Sequence, residues 1–496
     1  MTLTLPIFRS SALLQRPCIA FATLLLAGCA SIPQLGPKPV PLAPAQIAAE
    51  RSLAPTADAV WPGEGWWSGY GDPQLDALIE EGLRQSPDVA AADARFRRAG
   101  ALARQSGAAL LPRVDVKGQV QEQKQSLNLG YPPAFQAFLP RGWNDGGQIA
   151  VDLGFDLDVW GRNRAGLAAA TSEQRAAALD ARQARLMLAV AITSAYVDLD
   201  RLHAERDIRA RQLASAEQSQ QLLAQRRANG LETRGGVATS VAQLSSSRAA
   251  LNQAEEAIAL RRNQIAALIG AGPDRGLAIS RPTLAPAAAR GLPEGVTTDL
   301  VGRRPDIVAA RERVEAAGSR IKVARADFFP AIRLSALLGY QSLGLEQLVN
   351  KNSQFGQVGP AVSLPIFHGG ELRGRYRSAR ADYDAAVANY DSIVLAAYRE
   401  TADAVTTARM AAQRLAEAQA GLAASQDAFD VVTARYKGGL ATYLEALQVE
   451  DRLLQARLML SANQTALRNS DLALIRALGG GTPSAQAANL KDMFHG

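Results

Sequence analysis

Four stretches of the chain alternate apolar and polar residues, and each is long enough to be a β-strand. One of them begins VDVKGQVQ at Val114. Alternation with a period of two places apolar side chains on one face of a strand and polar side chains on the other. Strands of about ten residues suit a membrane-spanning sheet with a lipid-facing and a lumen-facing side, and a soluble antiparallel sheet with one wet face is the alternative. The predicted strands are 113–123, 147–159, 331–341 and 356–366.

The segments between and beyond these strands follow a helical pattern. The longest, from about Gly161 to Asn229, contains no proline and many strong helix formers, so we expect one helix of about 100 Å. The shorter segments 87–111 and 233–269 would together span about 90 Å if stacked end to end. The pair could therefore lie beside the long helix. Small alanine side chains let neighbours approach on two sides, which favours a curved helical wall over a single bundle.

The chain also repeats itself. Pro87 corresponds to Pro305 at an offset of 218 residues (305 less 87), and the match continues without a gap to the end of the helix. Beyond the strands the offset changes, and Gly230 corresponds to Gly439 at 209 residues (439 less 230). The difference places a longer loop in the first hairpin. Each half therefore predicts a helix, two strands, a long helix, a glycine turn and a helix, as expected of a duplication.

These patterns divide the chain into six segments. Glycine turns of the two repeats, which we call the tips, are predicted near 229–233 and 438–443. The segments are a lipoprotein signal peptide (1–28), a lipid-anchored N-terminal tether (29–70), a first repeat (71–272), an inter-repeat linker (273–300), a second repeat (301–481) and a C-terminal tail (482–496).

The N-terminus carries the signals of a bacterial lipoprotein. The apolar run from Cys18 to Leu26 follows two arginines and is too short to span a bilayer, as in a signal peptide. It ends in Leu-Ala-Gly-Cys, which resembles a lipobox with Cys29 as the lipidated residue. Ala30, rather than aspartate, follows the cysteine, and by resemblance to lipoprotein sorting this favours the outer membrane. The mature chain would keep one cysteine, already modified, and no disulfide.

Composition argues against several other functions. Hydrophobic residues make up 48 % and aromatic residues only 5 %, which is typical of long, closely packed helices. The formal net charge of +7 is scattered among acidic residues, so no basic stripe predicts nucleic-acid binding. His203, His368 and His495 lack metal-ligand spacing, and no phosphate loop or G-x-S-x-G pattern occurs. We expect neither an enzyme nor a metal site, and no cofactor apart from the covalent lipid on Cys29.

Four strands are too few to form a closed membrane barrel within one chain. Single-chain barrels of outer membranes begin at eight strands. If the strands span a membrane, they must be pooled between copies of the chain, and cyclic assembly is the usual solution. Two, three or four copies would give eight, twelve or sixteen strands. The predicted fold class is therefore mainly α with a membrane β-barrel, in which the helices continue the same ring as a hollow cylinder.

The chain resembles the outer-membrane factors of tripartite efflux pumps, the TolC type, in their lipid-anchored branch. The resemblance covers nearly everything from Cys29 to Gly481 and rests on short motifs that occur in the family's order. These motifs are WW and GDPQL after Gly65, DLDVWGR from Asp156, RPDI from Arg304, FP at Phe329, LPIF with a following GG from Leu364, and ALGGG from Ala477.

The resemblance implies an assembly and a role. The assembly is a homotrimer with an α-helical tunnel and a shared twelve-stranded barrel in the outer membrane of a Gram-negative bacterium. Its partners are a periplasmic adaptor (membrane fusion protein), an inner-membrane transporter, often of the RND class, and outer-membrane lipids. The family's duct does no covalent chemistry, and it lets small toxic molecules leave when its periplasmic tip opens.

The resemblance also suggests where function concentrates. Adaptor hairpins would dock at the tip residues Gly230, Leu231, Thr233, Gly439, Leu440 and Thr442. The entrance would be formed by Tyr436, Leu444, Glu445 and Gln448. Gln448 stands where the family usually has an aspartate, which puts a second acidic ring in doubt. The arginine that some members carry near Ala441 is absent, so the lock on the entrance must differ.

Two questions stay open at this point. Three symmetry-related Glu445 carboxylates near one axis would favour cations, whereas a solvated helix carboxylate would not affect conduction. Two other functions also fit part of the pattern. One is a coiled-coil structural lipoprotein without a pore, and the other is a duct that exports polypeptides or metal ions.

Overall fold

The structure is a computed structural model that describes residues 32–56, 59–127, 130, 132–288 and 290–481. The predicted signal peptide (1–28), the predicted lipidation site Cys29 and the predicted tail (482–496) lie outside the described residues. Helices account for most of the described chain, and four strands form one sheet. The predicted mainly α fold with four strands is confirmed.

The elements follow the predicted order in both halves. The first half contains α1 (Pro73–Gln85), α2 (Pro87–Ala108), β1 (Arg113–Lys124), α3 (Pro133–Gln136), β2 (Trp143–Asp156), α4 (Arg162–Ala228), α5 (Arg234–Leu268) and α6 (Pro273–Leu277). The second half contains α7 (Val296–Arg303), α8 (Pro305–Ala326), β3 (Ala331–Leu343), β4 (Gln354–Ser363), α9 (Glu371–Lys437) and α10 (Tyr443–Ala477).

The duplication is visible in the helix lengths. Helices α2 and α8 each contain 22 residues. The long helices α4 and α9 each contain 67 residues, and α5 and α10 each contain 35. The two halves have therefore kept the same lengths for these three helix pairs, while the opening helices α1 and α7, the strands and the hairpin loops differ in length.

The described residues form two compact units. The sheet unit comprises residues 32–40, 98–174 and 312–387, and the tip unit comprises residues 41–97, 175–311 and 388–481. Each unit takes segments from both repeats. The duplicated halves are therefore not two separate domains.

The core of the tip unit surrounds the start of α1. Asp72 caps this helix, as predicted, and its carboxylate accepts the backbone N–H of Gln74 at 3.0 Å. The same carboxylate accepts the hydroxyl of Tyr196 at 2.7 Å and the N–H of Thr283 at 2.7 Å. A buried carboxylate with three donors avoids the cost of desolvation. The fully buried side chains around it include Leu75, Leu78, Ile79, Ile192, Leu199, Ile265 and Ile269.

The four strands form one antiparallel sheet in the order β1-β2-β3-β4. Strand β2 begins before its predicted start and ends at Asp156 rather than near 159. The reason is Asp158, whose carboxylate accepts the backbone N–H groups of Asn163 and Arg164 at 2.8 and 3.0 Å. Asp158 therefore caps the start of α4, and the strand ends three residues before its predicted end.

The register sorts the side chains onto two faces. Residues directly opposite in an antiparallel pair share a face, and Val114 pairs with Leu153 while Val151 pairs with Leu338. We call this side the apolar face. Its apolar members are Val114, Val116, Val120, Ile149, Val151, Leu153, Phe155, Ile332, Leu334, Ala336, Leu338, Val358, Pro360 and Val362. Near the hairpin between β1 and β2 the same face also carries Glu122, Lys124 and Asp145. The residues between them form the polar face, which carries charged and amide side chains together with glycines and some apolar residues, among them Ala150, Leu337, Leu343, Phe355 and Ala361.

The N-terminal segment of the sheet unit lies on helix α9. The guanidinium of Arg380 donates to the carbonyl oxygen of Gly36 at 2.9 Å and to that of Pro37. The hydroxyl of Tyr383 donates to the carbonyl of Pro39 at 3.3 Å, and the ammonium of Lys38 lies 5.3 Å from the Tyr383 ring centroid. This part of the predicted tether is extended, as expected, but it is docked on the helix.

We find no helix in the described part of the chain that is both long enough and apolar enough to cross a membrane.

Candidate functional site

The first tip is a tight connection between α4 and α5. Gly230 has a φ of +72°, and its N–H donates to the carbonyl of Arg227 at 2.9 Å. The N–H of Leu231 reaches back to the carbonyl of Arg226 at 2.8 Å. This pair of bonds is a Schellman motif, which satisfies the last carbonyls of a helix and requires a left-handed residue. Glycine meets that requirement without strain.

The second tip repeats the same geometry between α9 and α10. Gly439 has a φ of +74°, and its N–H donates to the carbonyl of Tyr436 at 3.0 Å. The N–H of Leu440 donates to the carbonyl of Arg435 at 2.8 Å. Leu231 and Leu440 are 66 % and 73 % exposed, respectively. Both tips therefore present one leucine on a rigid turn.

A threonine caps the helix that leaves each tip. The hydroxyl of Thr233 accepts the N–H of Gly236 at 2.9 Å, and that of Thr442 accepts the N–H of Glu445 at 3.2 Å. A threonine at this position satisfies one of the four unpaired N–H groups at the start of a helix. The predicted tip residues Thr233 and Thr442 thus have the same structural role.

The two tips differ in the carboxylate that completes the cap. In the second tip Glu445 accepts the N–H of its own N-cap, Thr442, at 2.6 Å, which closes a capping box. In the first tip the corresponding position is Gly236, and the N–H of Thr233 is accepted instead by Glu232 at 2.9 Å. The same backbone group is satisfied from opposite sides in the two repeats.

The capping box gives Glu445 a structural role at the start of α10. Its side chain is exposed, but its carboxylate is held by the backbone N–H of Thr442 and then by the Thr442 hydroxyl, and both hydrogen bonds lower the pKa of Glu445. The group is therefore ionised at neutral pH and is oriented towards the start of its own helix.

A groove of about 1180 Å³ lies beneath the tips, between α4, α5 and the first half of α10. It brings together four predicted residues, Tyr436, Thr442, Leu444 and Gln448. The other predicted site residues of this region do not line it. These are Gly230, Leu231, Thr233, Gly439, Leu440 and Glu445.

Two short hydrogen bonds between α4 and α10 cross this groove, and we call them the latch; a longer one joins Gln212 to Asp451 at 3.5 Å. The hydroxyls of Ser219 and Tyr443 lie 2.8 Å apart, and the hydroxyl of Ser215 donates to Glu450 at 2.6 Å. The ring of Tyr443 also lies 5.5 Å, centroid to centroid, from the ring of the predicted entrance residue Tyr436. Two serines one helical turn apart on α4 thus hold two residues of α10.

Sequence reasoning did not select the latch residues Ser215, Ser219, Tyr443 and Glu450. A signal was present, because the two serines are four residues apart and Tyr443 and Glu450 are seven apart, so each pair lies on one helix face. The signal could be used only once α4 and α10 were known to be neighbours. Among the described residues, no group of three or more His, Cys, Asp or Glu side chains is placed so that it could hold a metal ion.

The family model for the outer membrane efflux protein matches residues 78–271 and 297–480, which is one match in each repeat. The chain belongs to the outer membrane efflux protein family. The resemblance inferred from the motifs is therefore confirmed, and so is the function of an outer-membrane exit duct.

Two curated relatives illustrate the similarity. The fusaric acid resistance protein FusA of Burkholderia cepacia is 36 % identical over 363 residues, which cover 72 % of this chain and 68 % of FusA. The multidrug resistance outer membrane protein MdtP of Escherichia coli K12 is 27 % identical over 465 residues, which cover 93 % of this chain and 95 % of MdtP.

A solved structure agrees with the fold. The crystal structure of the outer membrane protein VceC from Vibrio cholerae is 40 % identical in sequence, with a TM-score of 0.78. The match covers 85 % of this chain and all of the VceC chain, at 100 %. The arrangement of strands, long helices and tips described above is therefore that of an outer-membrane efflux protein.

Proposed function

We propose that this outer-membrane duct works as a homotrimer in a tripartite efflux system. It passes small toxic molecules passively from an inner-membrane transporter, of the RND class, and a periplasmic adaptor to the outside. The observation that carries this proposal is the two-faced sheet, which one chain cannot close.

The apolar face of the sheet favours contact with lipid. Val116, Val120, Val358 and Val362 are 67 to 69 % exposed in the single chain. Contiguous apolar surface of this kind is rare on soluble proteins and marks a membrane or partner contact. The edge strands β1 and β4 also have unpaired backbone groups on their outer sides, and these groups must be satisfied in hydrocarbon. Three copies joined edge to edge would give a closed sheet of twelve strands.

Lipidation of Cys29 fits the position of the docked N-terminal segment. Gly36 lies seven positions after Cys29, and an extended chain spans up to about 24 Å over seven steps. Arg380, which holds Gly36, lies nine residues after the start of α9, a rise of about 14 Å. A lipid on Cys29 can therefore reach past the start of α9 towards the level of the sheet.

The tips have the features of a docking point for the adaptor. Each presents an exposed leucine on a turn that is fixed by backbone hydrogen bonds and a threonine cap, so little conformational entropy is lost on binding. An adaptor with helical hairpins would meet two such turns per chain and six per trimer.

The latch supports a gate at the periplasmic entrance. Opening requires the first half of α10 to move away from α4, which breaks the bonds of Tyr443 to Ser219 and of Glu450 to Ser215. Hydrogen bonds of this type contribute about 0.5–1.5 kcal/mol each. Two bonds per chain, summed over three chains, form a barrier that adaptor binding can overcome.

The substrate class is proposed from the relatives. FusA is named for resistance to fusaric acid and MdtP for multidrug resistance. We infer small organic toxicants, and the transporter rather than the duct would choose among them.

Export and conductance test the proposal together. The purified chain should migrate as a heat-sensitive trimer and form ion-conducting pores in planar bilayers, and its gene should restore drug resistance to a strain that lacks its own duct. Replacing Cys29 with serine should abolish palmitate labelling and leave conductance intact. A monomer without conductance would support the pore-free structural lipoprotein instead.

A further inference from the structure

The polar face of the sheet has two zones that differ in charge. Near the start of β1 the face carries six ionisable side chains, and towards the end of β1 it carries amides. The charged zone consists of Arg113, Asp115, Lys117, Asp152, Asp156 and Arg333. The amide zone consists of Gln119, Gln121, Gln123, Asn144, Gln148 and Gln341.

At the centre of the charged zone two carboxylates face each other. Asp115 of β1 pairs directly with Asp152 of β2 in the register. Like charges at directly opposite positions destabilise a sheet. Each carboxylate has its own cation, because Arg113 contacts Asp115 at 2.8 Å and the ammonium of Lys117 contacts Asp152. These two cations and two anions form two ion pairs, and their formal charges sum to zero.

A third ion pair completes the zone. Asp156 of β2 lies directly opposite Arg333 of β3 on the same face, and the two side chains are 3.3 Å apart. Three cations and three anions thus share the zone, and its formal charge is zero. All six side chains are at least partly exposed, so they face solvent and can act on a passing ion.

The amide zone has no formal charge. Gln119 donates to Gln121 at 2.6 Å, and Gln121 donates to Gln123 at 3.1 Å, so the side chains form a row along β1. These amides line a groove of about 400 Å³ together with Gln148 and Gln341. A row of amides offers hydrogen bonds to a solute without favouring either sign of charge.

We propose that the polar face is a charge-balanced lining of the duct, and that Lys117 and Asp152 keep its ion preference neutral. The inference rests on the proposed pore, in which the polar face lines the lumen. Three copies would place three Lys117–Asp152 pairs around one axis. Loss of either partner would leave three like charges in a ring, and rings of charged side chains are a common source of ion selectivity. A duct for varied toxicants benefits from a lining that repels neither anions nor cations.

Reversal potentials across a salt gradient in planar bilayers test this inference. The variants are Lys117→Gln, Asp152→Asn and the double variant, all combined with Glu445→Gln so that the tip does not dominate. Lys117→Gln should raise the cation-to-anion permeability ratio about two- to fivefold, and Asp152→Asn should lower it by a similar factor. The double variant should return to the parent value. Low salt is needed because charges further apart than about 10 Å are screened at 0.1 M.

Glu122→Gln is the matched control. Glu122 lies on β1 but pairs with Asp145 and belongs to the other face of the strand, so its removal should leave the ratio unchanged. Equal reversal potentials for all variants, with normal single-channel conductance, would overturn the inference while the proposed duct stands. Complete absence of conductance in the unmodified protein would instead overturn the proposed duct. A stable trimer on gels for each variant shows that the sheet has formed.

Discussion

The hydroxyl of Tyr443 lies 2.8 Å from the hydroxyl of Ser219, although 224 residues separate them in the chain. The contact joins the start of α10 to the last third of α4, directly beneath both tips. Its neighbour on the next turn, Ser215 with Glu450, repeats the connection at 2.6 Å. The gate that we propose would therefore be held by hydroxyl groups, in a chain that lacks the arginine near Ala441.

Replacing Tyr443 with phenylalanine tests the latch. The variant loses the bond to Ser219 but keeps a ring beside Tyr436. A loss of about 0.5–1.5 kcal/mol per chain, summed over three chains, should raise the open fraction of the entrance by about tenfold or more. Single-channel recordings and sensitivity of cells to vancomycin would report the opening.

The control for this change is Ser425→Ala, because the Ser425 hydroxyl donates only to Gly421 of its own helix at 2.8 Å. A Tyr443→Phe channel that opens no more often than the Ser425→Ala channel would show that the latch does not hold the gate.

Protonation of Glu445 should loosen the second tip. Its pKa is lowered by the N–H of Thr442, so the capping box stabilises the tip above the usual pKa of a glutamate. That contribution is lost as the pH falls through the lowered value. Amide exchange of segment 438–446, followed by mass spectrometry and corrected for intrinsic rates, should quicken at acid pH. Glu445→Ala, which removes the acceptor, should quicken it at pH 7, whereas Glu232→Ala should affect only the first tip. Identical protection in all three proteins at pH 7 would exclude the box as a stabilising element.

Glu445 should also influence ions, if three carboxylates meet near one axis. Replacing it with glutamine is expected to reduce cation preference without preventing trimer formation, because the side chain is exposed and contributes no packing. Bilayer reversal potentials measure the preference, and gel mobility measures the trimer. An unchanged preference would favour the solvated, capping role alone.

Gly339 should be required for the sheet. A Cβ atom at this position would lie 2.1 Å from the carbonyl oxygen of Ile149 on the neighbouring strand. Alanine must therefore push β3 away from β2, and we expect a large loss of the heat-sensitive trimer. Gly154→Ala is the control on the same face, since nothing lies within 4 Å of its added Cβ. Trimer yields that match between the two variants would contradict the predicted clash.

Arg380 should hold the N-terminal segment on α9. Replacing it with glutamine removes the guanidinium that bonds the carbonyls of Gly36 and Pro37. We expect protease cleavage within residues 32–42 to become several times faster. Arg399→Gln is a matched control on the same helix, because Arg399 pairs with Asp403 in solvent. Cleavage rates that stay equal would mean that other contacts are sufficient.

The sequence predicted the helices and strands that have a local periodic pattern of apolar and polar residues. Alternation along β1 and the proline-free run of α4 predicted those elements, because each pattern is set by neighbouring residues. The end of β2 was less accessible, since it depends on the carboxylate of Asp158 reaching the start of α4. The alternating pattern alone placed the end of β2 at 159, beyond its actual end at Asp156.

Contacts between distant segments could not be predicted. Ser215 and Glu450 are 235 residues apart, and Gly36 and Arg380 are 344 apart. Nothing in either local pattern distinguishes these residues from other polar positions on solvated helices. Their roles became visible only when the fold placed the helices side by side. Motif resemblance, by contrast, selected Tyr436 and Glu445 as candidate entrance residues, but not the contacts that each residue makes.

The capping carboxylate comes from Glu232, before the threonine, in the first tip and from Glu445, after the threonine, in the second. This difference affects the symmetry of the assembly. Duplication gives a trimer six nearly equivalent hairpin ends, yet alternate ends carry their negative charge on opposite sides of a threonine. Identical adaptor subunits arranged in a ring would therefore contact two kinds of tip in alternation. Because both kinds of tip belong to one chain, the six tips of a trimer have threefold rather than sixfold symmetry.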